Sequence, residues 1–392
     1  MPVRPVYLDH AATTPVRPEV LEAMLPYLGS GAFGNPSSAH HFGRTARAGI
    51  EQARRQVATA VGAEPNQVVF TSGGTEADNL AIIGSALAAR NRGRPMRVVT
   101  SAIEHKAVLA AAHHVVTLGG EEEVLPVDGS GLIDQAAFAT SLTRAPAIAS
   151  FMWVNNETGV RQPIEAMSRA AREAGVPFHS DAVQAFGKLP INLADACCTL
   201  LTLSGHKIGA PKGIGALIVC DRGVVDALIH GGGQQFGIRP GTENVAGAVA
   251  LGKAAILAAA EVAEEADRLG RLRDKLLAEL RAVVPDLVVN GEGAPRAPHV
   301  LSLAVPGAEA EALLMHLDLA GIAVSGGSAC STGSVEPSHV LVAMGVPRPL
   351  ALSAIRLSLG HETRDADIAQ VVSVFPGIVD KVRKLATVLG RA

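Results

Sequence analysis

Short runs rich in Val, Ile, Leu and Phe alternate with alanine-rich stretches between about residues 66 and 260, and this alternation is the dominant pattern of the chain. Residues 68–70, 97–100, 148–154, 177–179, 199–203 and 216–220 read as strands, because they are short, apolar and bounded by turn-forming residues. Residues 80–89 and 164–174 between them read as helices. Strands alternating with helices predict an α/β layer architecture around a largely parallel sheet. In such a sheet, ligands gather where the carboxyl ends of strands meet the turns that follow.

Beyond residue 244 the pattern changes. Residues 244–284 are almost entirely Ala, Leu, Glu, Arg and Lys, the composition of a long helix, with a break expected near Gly270. A strand at 300–305, a helix at 308–319, a Gly/Ser-rich loop at 325–336, a strand around Ile355-Arg356-Leu357 and a closing helix from Asp365 follow. This predicts a large domain over 16–260 and a smaller α+β domain made of 1–15 and 261–392. No segment reads as long and apolar enough to span a bilayer, and the N-terminus shows no apolar signal core.

Composition narrows the possible functions. Of 392 residues 48% are apolar, enough for a substantial core, and the formal net charge of −3 gives no basic surplus for nucleic acid or anionic membranes. At 3% aromatic residues the chain also lacks the stacking platforms of single-strand binders. Its 4 cysteines are too few for a disulfide framework and show no zinc-site spacing, which predicts no metal and a reducing, cytoplasmic setting. Cys197, Cys198 and Cys220 read as small core residues, and the pairs His40-His41 and His113-His114 as surface or packing residues.

Three places at predicted strand ends carry chemistry. Ser72-Gly73-Gly74-Thr75-Glu76 follows a strand and opens a helix, where close backbone approach and unpaired N–H groups suit an anion; it reads equally as a plain turn with Thr75 as N-cap. No Walker-type or complete dinucleotide fingerprint occurs, so a single phosphate is the favoured ligand there. Asp181 falls where a strand leaves the core, a costly place for a carboxylate without a cationic partner, although a helix N-cap explains it as well. Lys207 ends the run Leu203-Ser204-Gly205-His206-Lys207 at the lip of the core, where a lysine readily loses its proton and attacks a carbonyl. A phosphate cradle, an aspartate and a strand-end lysine are together what pyridoxal 5'-phosphate requires.

The blocks Tyr7-Leu8-Asp9-His10-Ala11-Ala12-Thr13-Thr14-Pro15, Phe33-Gly34-Asn35-Pro36-Ser37-Ser38, Thr71-Ser72-Gly73-Gly74-Thr75-Glu76, Glu104-His105-Lys106, Val154-Asn155-Asn156-Glu157-Thr158-Gly159, Ser204-Gly205-His206-Lys207, Gly241-Thr242-Glu243-Asn244, Gly327-Ser328-Ala329-Cys330 and Ser353-Ala354-Ile355-Arg356-Leu357-Ser358 resemble, in order and over nearly the whole chain, those of cysteine desulfurases. These are class V enzymes of the fold-type I pyridoxal phosphate group. The resemblance implies an α/β large domain with a mostly parallel seven-stranded sheet flanked by helices, and a smaller domain carrying a catalytic cysteine. It implies that Lys207 forms the Schiff base with the cofactor and moves the Cα proton. Asp181 would pair with the ring nitrogen, and His105 would stack on the ring and assist proton transfer. Gln184 and Asn155 would bond the phenolic oxygen and the substrate carboxylate region. Gly74, Thr75, Ser204 and His206 would bind the phosphate, joined by Thr242 from the partner of a homodimer. Arg356 would clamp the substrate carboxylate, with Asn35 supporting that end.

Cys330 separates desulfurases from their relatives. It lies in Ser325-Gly326-Gly327-Ser328-Ala329-Cys330-Ser331-Thr332-Gly333-Ser334, which suits a loop that carries a thiol to and from a site. The implied reaction takes sulfur from L-cysteine, leaves a Cys330 persulfide and L-alanine, and passes sulfur to acceptor proteins for iron–sulfur assembly or for tRNA or cofactor thiolation. The alternatives are a selenocysteine lyase, another class V enzyme of aminotransferase or kynureninase-like type, or a binding protein that keeps the fold without turnover.

Overall fold

The computed structural model describes residues 5–326 and 336–388. Its centre is a seven-stranded sheet in the order β2-β8-β7-β6-β5-β3-β4. The strands are β2 (Val68–Thr71), β3 (Arg97–Ser101), β4 (Glu121–Leu125), β5 (Ile148–Met152), β6 (Phe178–Asp181), β7 (Leu200–Ser204) and β8 (Gly215–Val219). The pairs β3–β4, β3–β5, β5–β6 and β6–β7 are parallel, and β8 runs antiparallel between β2 and β7. This is the mostly parallel α/β sheet expected from the alternating pattern. Strands β2, β3, β5, β6, β7 and β8 are buried along their whole length, which is why most of them read as short, largely apolar runs.

β4 escaped the sequence reading because Glu121, Glu122 and Glu123 make it look like a loop. It is the edge strand, and its charges have uses there. Glu121 and Glu123 both pair with the buried Arg97 of β3, and Glu122 meets His113 at 3.2 Å. Charged residues on an edge also disfavour pairing with another chain.

The helix Val245–Val283 runs without interruption through Gly270, contrary to the expected break. A glycine inside a helix costs only about 1 kcal/mol, and the strong helix formers around it outweigh that. The reading that no segment could span a bilayer is also corrected, since this helix is long and apolar enough by length and composition. In the fold the alanines of its first three turns face protein. Ala248, Ala250, Leu251, Ala254 and Ala255 belong to the core under the large sheet, and a Cβ on Gly252 would stand 2.7 Å from Ala53 Cα in the helix His41–Val61. Further along, Leu269, Leu272, Leu276 and Leu280 enter a second core.

That second core lies under a four-stranded antiparallel sheet, β12-β13-β10-β9. Its strands are β9 (Val288–Val289), β10 (Val300–Ala304), β12 (Ser325–Gly326) and β13 (Ala354–Ser358). The N-terminal strand β1 (Val6–Tyr7) pairs in parallel with β11 (Ile322–Ala323) and puts Val6 and Leu8 into the same core. The chain then crosses to the carboxyl ends of β6 and β7. There Thr14 N–H and its hydroxyl donate to the His206 carbonyl at 2.9 Å.

Candidate active site

At those strand ends lies a cavity of about 340 Å³, lined by Ala11, Ala12, Gly74, Thr75, Asp78, His105, Lys106, Asn156, Glu157, Asp181, Gln184, Ser204, His206, Lys207, His339 and Arg356 among others. Nine of the residues singled out from sequence therefore meet in one place: Gly74, Thr75, His105, Asp181, Gln184, Ser204, His206, Lys207 and Arg356. A larger cavity, by contrast, runs past Cys197, Cys198 and Cys220 and holds none of them. Cys198 is buried as expected of a core residue, but Cys220 is exposed one position beyond the end of β8, which corrects its reading as core.

Lys207 closes the turn Gly205–Lys207 that follows β7. Its Nζ donates to the carbonyls of Ala11 at 2.5 Å and Ala12 at 2.8 Å, so the N-terminal crossing segment positions the amine. Burial, with help from the Arg356 charge, pulls its pKa down to about 8, against the opposing pull of Asp181 and Asp9. A pKa that low leaves a usable fraction of the amine unprotonated near physiological pH, as a nucleophile and proton carrier needs.

Asp181 ends β6 and is buried. One carboxylate oxygen accepts the Val183 N–H at 2.9 Å, a local turn bond, and burial raises its pKa. A cationic ring nitrogen placed beside it would reverse that shift. His105 caps the helix Lys106–Thr117: its Nδ1 accepts the Ala107 N–H at 3.2 Å, so in the neutral ring the proton sits on Nε2. Glu104 beside it is wholly buried, bonded to Ser101 Oγ and Met152 N–H, and burial lifts its pKa to about 8.

The strand β2 leads into the helix Gly74–Asn91, and the N-cap is Gly73 rather than Thr75, with no side chain capping the first turn. The helix N-terminus thus faces the cavity with its N–H groups available to an anion. Ser204 and a half-buried His206, kept neutral by burial with a pKa of about 4, line the same wall. A Cβ on Gly74 would press to 3.0 Å from Val183 Cγ2, and a Cβ on Gly215 would meet Gly73 Cα and the Leu203 carbonyl at 2.7 Å. Backbone atoms cannot yield as a side chain can. Gly215→Ala is therefore expected to cost about 1–3 kcal/mol by overpacking and to weaken phosphate binding, seen as a lower Tm and weaker retention of pyridoxal phosphate.

Gln184 donates to the Ala11 carbonyl at 2.9 Å, and its Oε1 meets His299 Nε2 at 3.2 Å. Arg356 on β13 is held by Asp9 Oδ1 at 2.8 Å and the Asn156 carbonyl at 2.7 Å, while its Nε is buried without a partner. Each terminal nitrogen keeps a second N–H for a carboxylate. Arg356→Gln is expected to raise KM for an amino-acid substrate about 10- to 100-fold with a smaller change in kcat, as steady-state kinetics would report.

Other sequence candidates are not in the cavity. Asn155 is fully buried, its Oδ1 accepting from Glu157 N–H, Thr158 N–H and Thr158 Oγ and its Nδ2 donating to the Ile103 carbonyl and Met152 Sδ. It builds the turn that presents Asn156 and Glu157, and its amide has no free hydrogen-bonding position. Asn35 and Thr242 are exposed and do not line the cavity within this chain. Cys330 lies outside the described residues. Among residues without a sequence-based role, Glu157 stands out: buried, accepting from Ser338 Oγ, with burial lifting its pKa to about 7. Its block gave a polar motif but no cue that the carboxylate faces the site.

The site suits pyridoxal phosphate on the chemistry of its donors: an amine of lowered pKa, a buried carboxylate and an uncapped helix N-terminus line one cavity. The comparisons agree. The aminotransferase class-V family model matches residues 6–371. A curated cysteine desulfurase IscS from Dictyoglomus turgidum is 44% identical over 383 residues, 98% of this chain and 96% of that protein. A solved NifS-like protein superposes with a TM-score of 0.87 at 32% identity, covering 98% of this chain and 99% of that one. A structure described as SspA in complex with cysteine gives 0.79 at 35%, covering 90% and 98%.

Proposed function

This chain belongs to the aminotransferase class-V family, and from that membership we propose that Lys207, Asp181, the Gly74–Thr75 helix start and Cys330 carry out its reaction. The activity is that of a pyridoxal-phosphate-dependent cysteine desulfurase. The observation that supports the residue roles best is the convergence of Lys207, Asp181 and the uncapped start of the Gly74 helix on one cavity.

Bound there, the cofactor supplies an electron sink for the carbanion left when the substrate's Cα proton is removed. Lys207 would hold the cofactor's aldehyde through Nζ, and the same amine would take and return the substrate's Cα proton. Asp181 would face the ring nitrogen and favour its protonated form. Gly74, Thr75, Ser204 and His206 would hold the phosphate, His105, with its Nε2–H free, would share in proton transfer beside the ring, and Gln184 would bond the ring's phenolic oxygen. Arg356 takes the substrate carboxylate. The thiolate of Cys330 attacks the substrate sulfur: a new S–S bond forms, the Cβ–S bond breaks with its electrons passing to carbon, and protonation yields alanine. The persulfide then hands sulfur to an acceptor protein.

Thr242 is proposed to reach the phosphate of a second subunit, a role that its exposed position permits. Exposed Leu25, Leu28, Phe33 and Phe42, on the segments around Asn35, supply apolar surface for such a homodimer. A reducing cytoplasmic compartment suits a persulfide carrier, and Cys197, Cys198 and Cys220 are all unpaired. The test is to give L-cysteine to the cofactor-loaded protein and measure alanine together with the mass of the Cys330 peptide. Alanine in step with persulfide supports the assignment. Alanine without any sulfur on Cys330 would refute it.

A further inference from the structure

Behind Asp181 stands a second buried carboxyl to which the reaction above gives no role. Asp78 lies one helical turn after Gly74, so the two share the face turned toward β7. A Cβ on Gly74 would sit 3.9 Å from Thr202 Cγ2, and Thr202 is the strand partner of Asp181. Asp78 is 2% exposed, lines the cavity, and its Oδ1 has no hydrogen-bond partner. The groups around it come from β6, β7 and the turn after β3: Asp181 and His179, Thr202, and Glu104. His179 Nε2 lies 3.8 Å from Asp78 Oδ1, beyond hydrogen-bond reach, and is engaged by Thr202 Oγ1 at 2.9 Å while Nδ1 meets Ser150 Oγ at 2.8 Å. Burial keeps that imidazole neutral, its pKa pushed down to about 3.

An ionised Asp78 would therefore lack a counter-ion, lack a donor on Oδ1 and face the Asp181 carboxylate. Asp181 is better placed to carry charge, since it accepts the Val183 N–H and feels the His105 and Lys207 charges. We propose that Asp78 is a positioning residue for Asp181: it stays a neutral carboxylic acid, so the pair carries one negative charge, held on Asp181 where the cofactor's ring nitrogen would face it. The ring-nitrogen role rests on the cofactor reading above; the protonation of Asp78 does not.

Infrared spectroscopy of protein carrying isotope-labelled aspartate tests this in both the cofactor-free and the loaded enzyme. The label separates Asp78 from the buried Glu104. The expected result is a label-sensitive protonated-carboxyl band at neutral pH that persists in Asp181→Asn and is absent from Asp78→Asn. Asp78→Asn keeps shape and a donor, so its affinity for pyridoxal phosphate should stay within about threefold of the parent, while Asp78→Ala should lose about tenfold. A band that survives in Asp78→Asn, or that vanishes only in Asp181→Asn, overturns the proposal. Failure of the cofactor reading would show separately, as no visible absorbance after incubation with pyridoxal phosphate, and the infrared result would still decide the state of Asp78.

Discussion

Lys207→Ala is expected to lose the visible absorbance of lysine-linked cofactor and to slow alanine formation by ~10³-fold or more, because the same amine is proposed both to anchor the cofactor and to move the proton. The Ala11 and Ala12 carbonyls hold Nζ in place, and among the described residues Lys207 is the lysine whose amine they accept from. Lys106 lines the cavity too, but from the first turn of the helix after His105. Borohydride reduction of the loaded enzyme followed by peptide mapping reads the result directly. Cofactor fixed at Lys207 in the parent and nowhere in the variant is the expected outcome; a stable adduct on another lysine would refute the assignment.

The low Lys207 pKa also sets a pH dependence. Only the neutral amine attacks the aldehyde, so loading of cofactor-free protein should accelerate as pH rises through about 8. The linked effect on stability has a definite sign. The folded-state value lies below the ordinary 10.5, so the protonated lysine is penalised in the fold. That penalty is fully present below about pH 8 and is relieved as pH rises from 8 to 10.5. Cofactor-free Lys207→Ala should not show this gain, which thermal unfolding across that window would detect.

Cys330→Ser carries an expected effect of similar size. A hydroxyl at neutral pH is a far weaker nucleophile than a thiolate toward divalent sulfur, so alanine release from L-cysteine should fall by ~10³-fold or more, with no persulfide recoverable at that position. Cofactor absorbance and the spectral change on adding L-cysteine should remain, since Lys207, Asp181 and Arg356 are untouched. That combination separates loss of the sulfur acceptor from loss of the site. Full alanine release from Cys330→Ser would mean that sulfur leaves the substrate without this thiol.

The buried strands were legible because burial on both faces leaves an apolar run with few alternatives. β4 was not, since an edge strand accepts charges and its three glutamates answer Arg97 and His113 across the chain. The helix through Gly270 shows the limit of local propensity: packing on two cores spans a position where a single glycine suggests a stop. At the site, strand-end position marked Asp181 and Lys207, and the Gly73-Gly74 pair marked the cradle. Asn155 shows the converse. A polar residue in a motif can be wholly consumed in building a turn, and only its neighbours Asn156 and Glu157 reach the cavity.

By itself the sequence determined the α/β class, because periodicity is a local property of the chain, and its motif blocks, through their resemblance to a pyridoxal phosphate family, named the candidate reacting residues. Tertiary structure alone decided which of those residues meet. The crossing segment from β1 brings the Ala11 and Ala12 carbonyls to Lys207, and Asp9 to Arg356, across gaps of 195 residues and more. It also decided protonation. Burial lowers the Lys207 pKa to about 8, keeps His179 a neutral imidazole and raises the pKa of Asp78, and burial is a property of the packed fold that no short stretch of sequence contains.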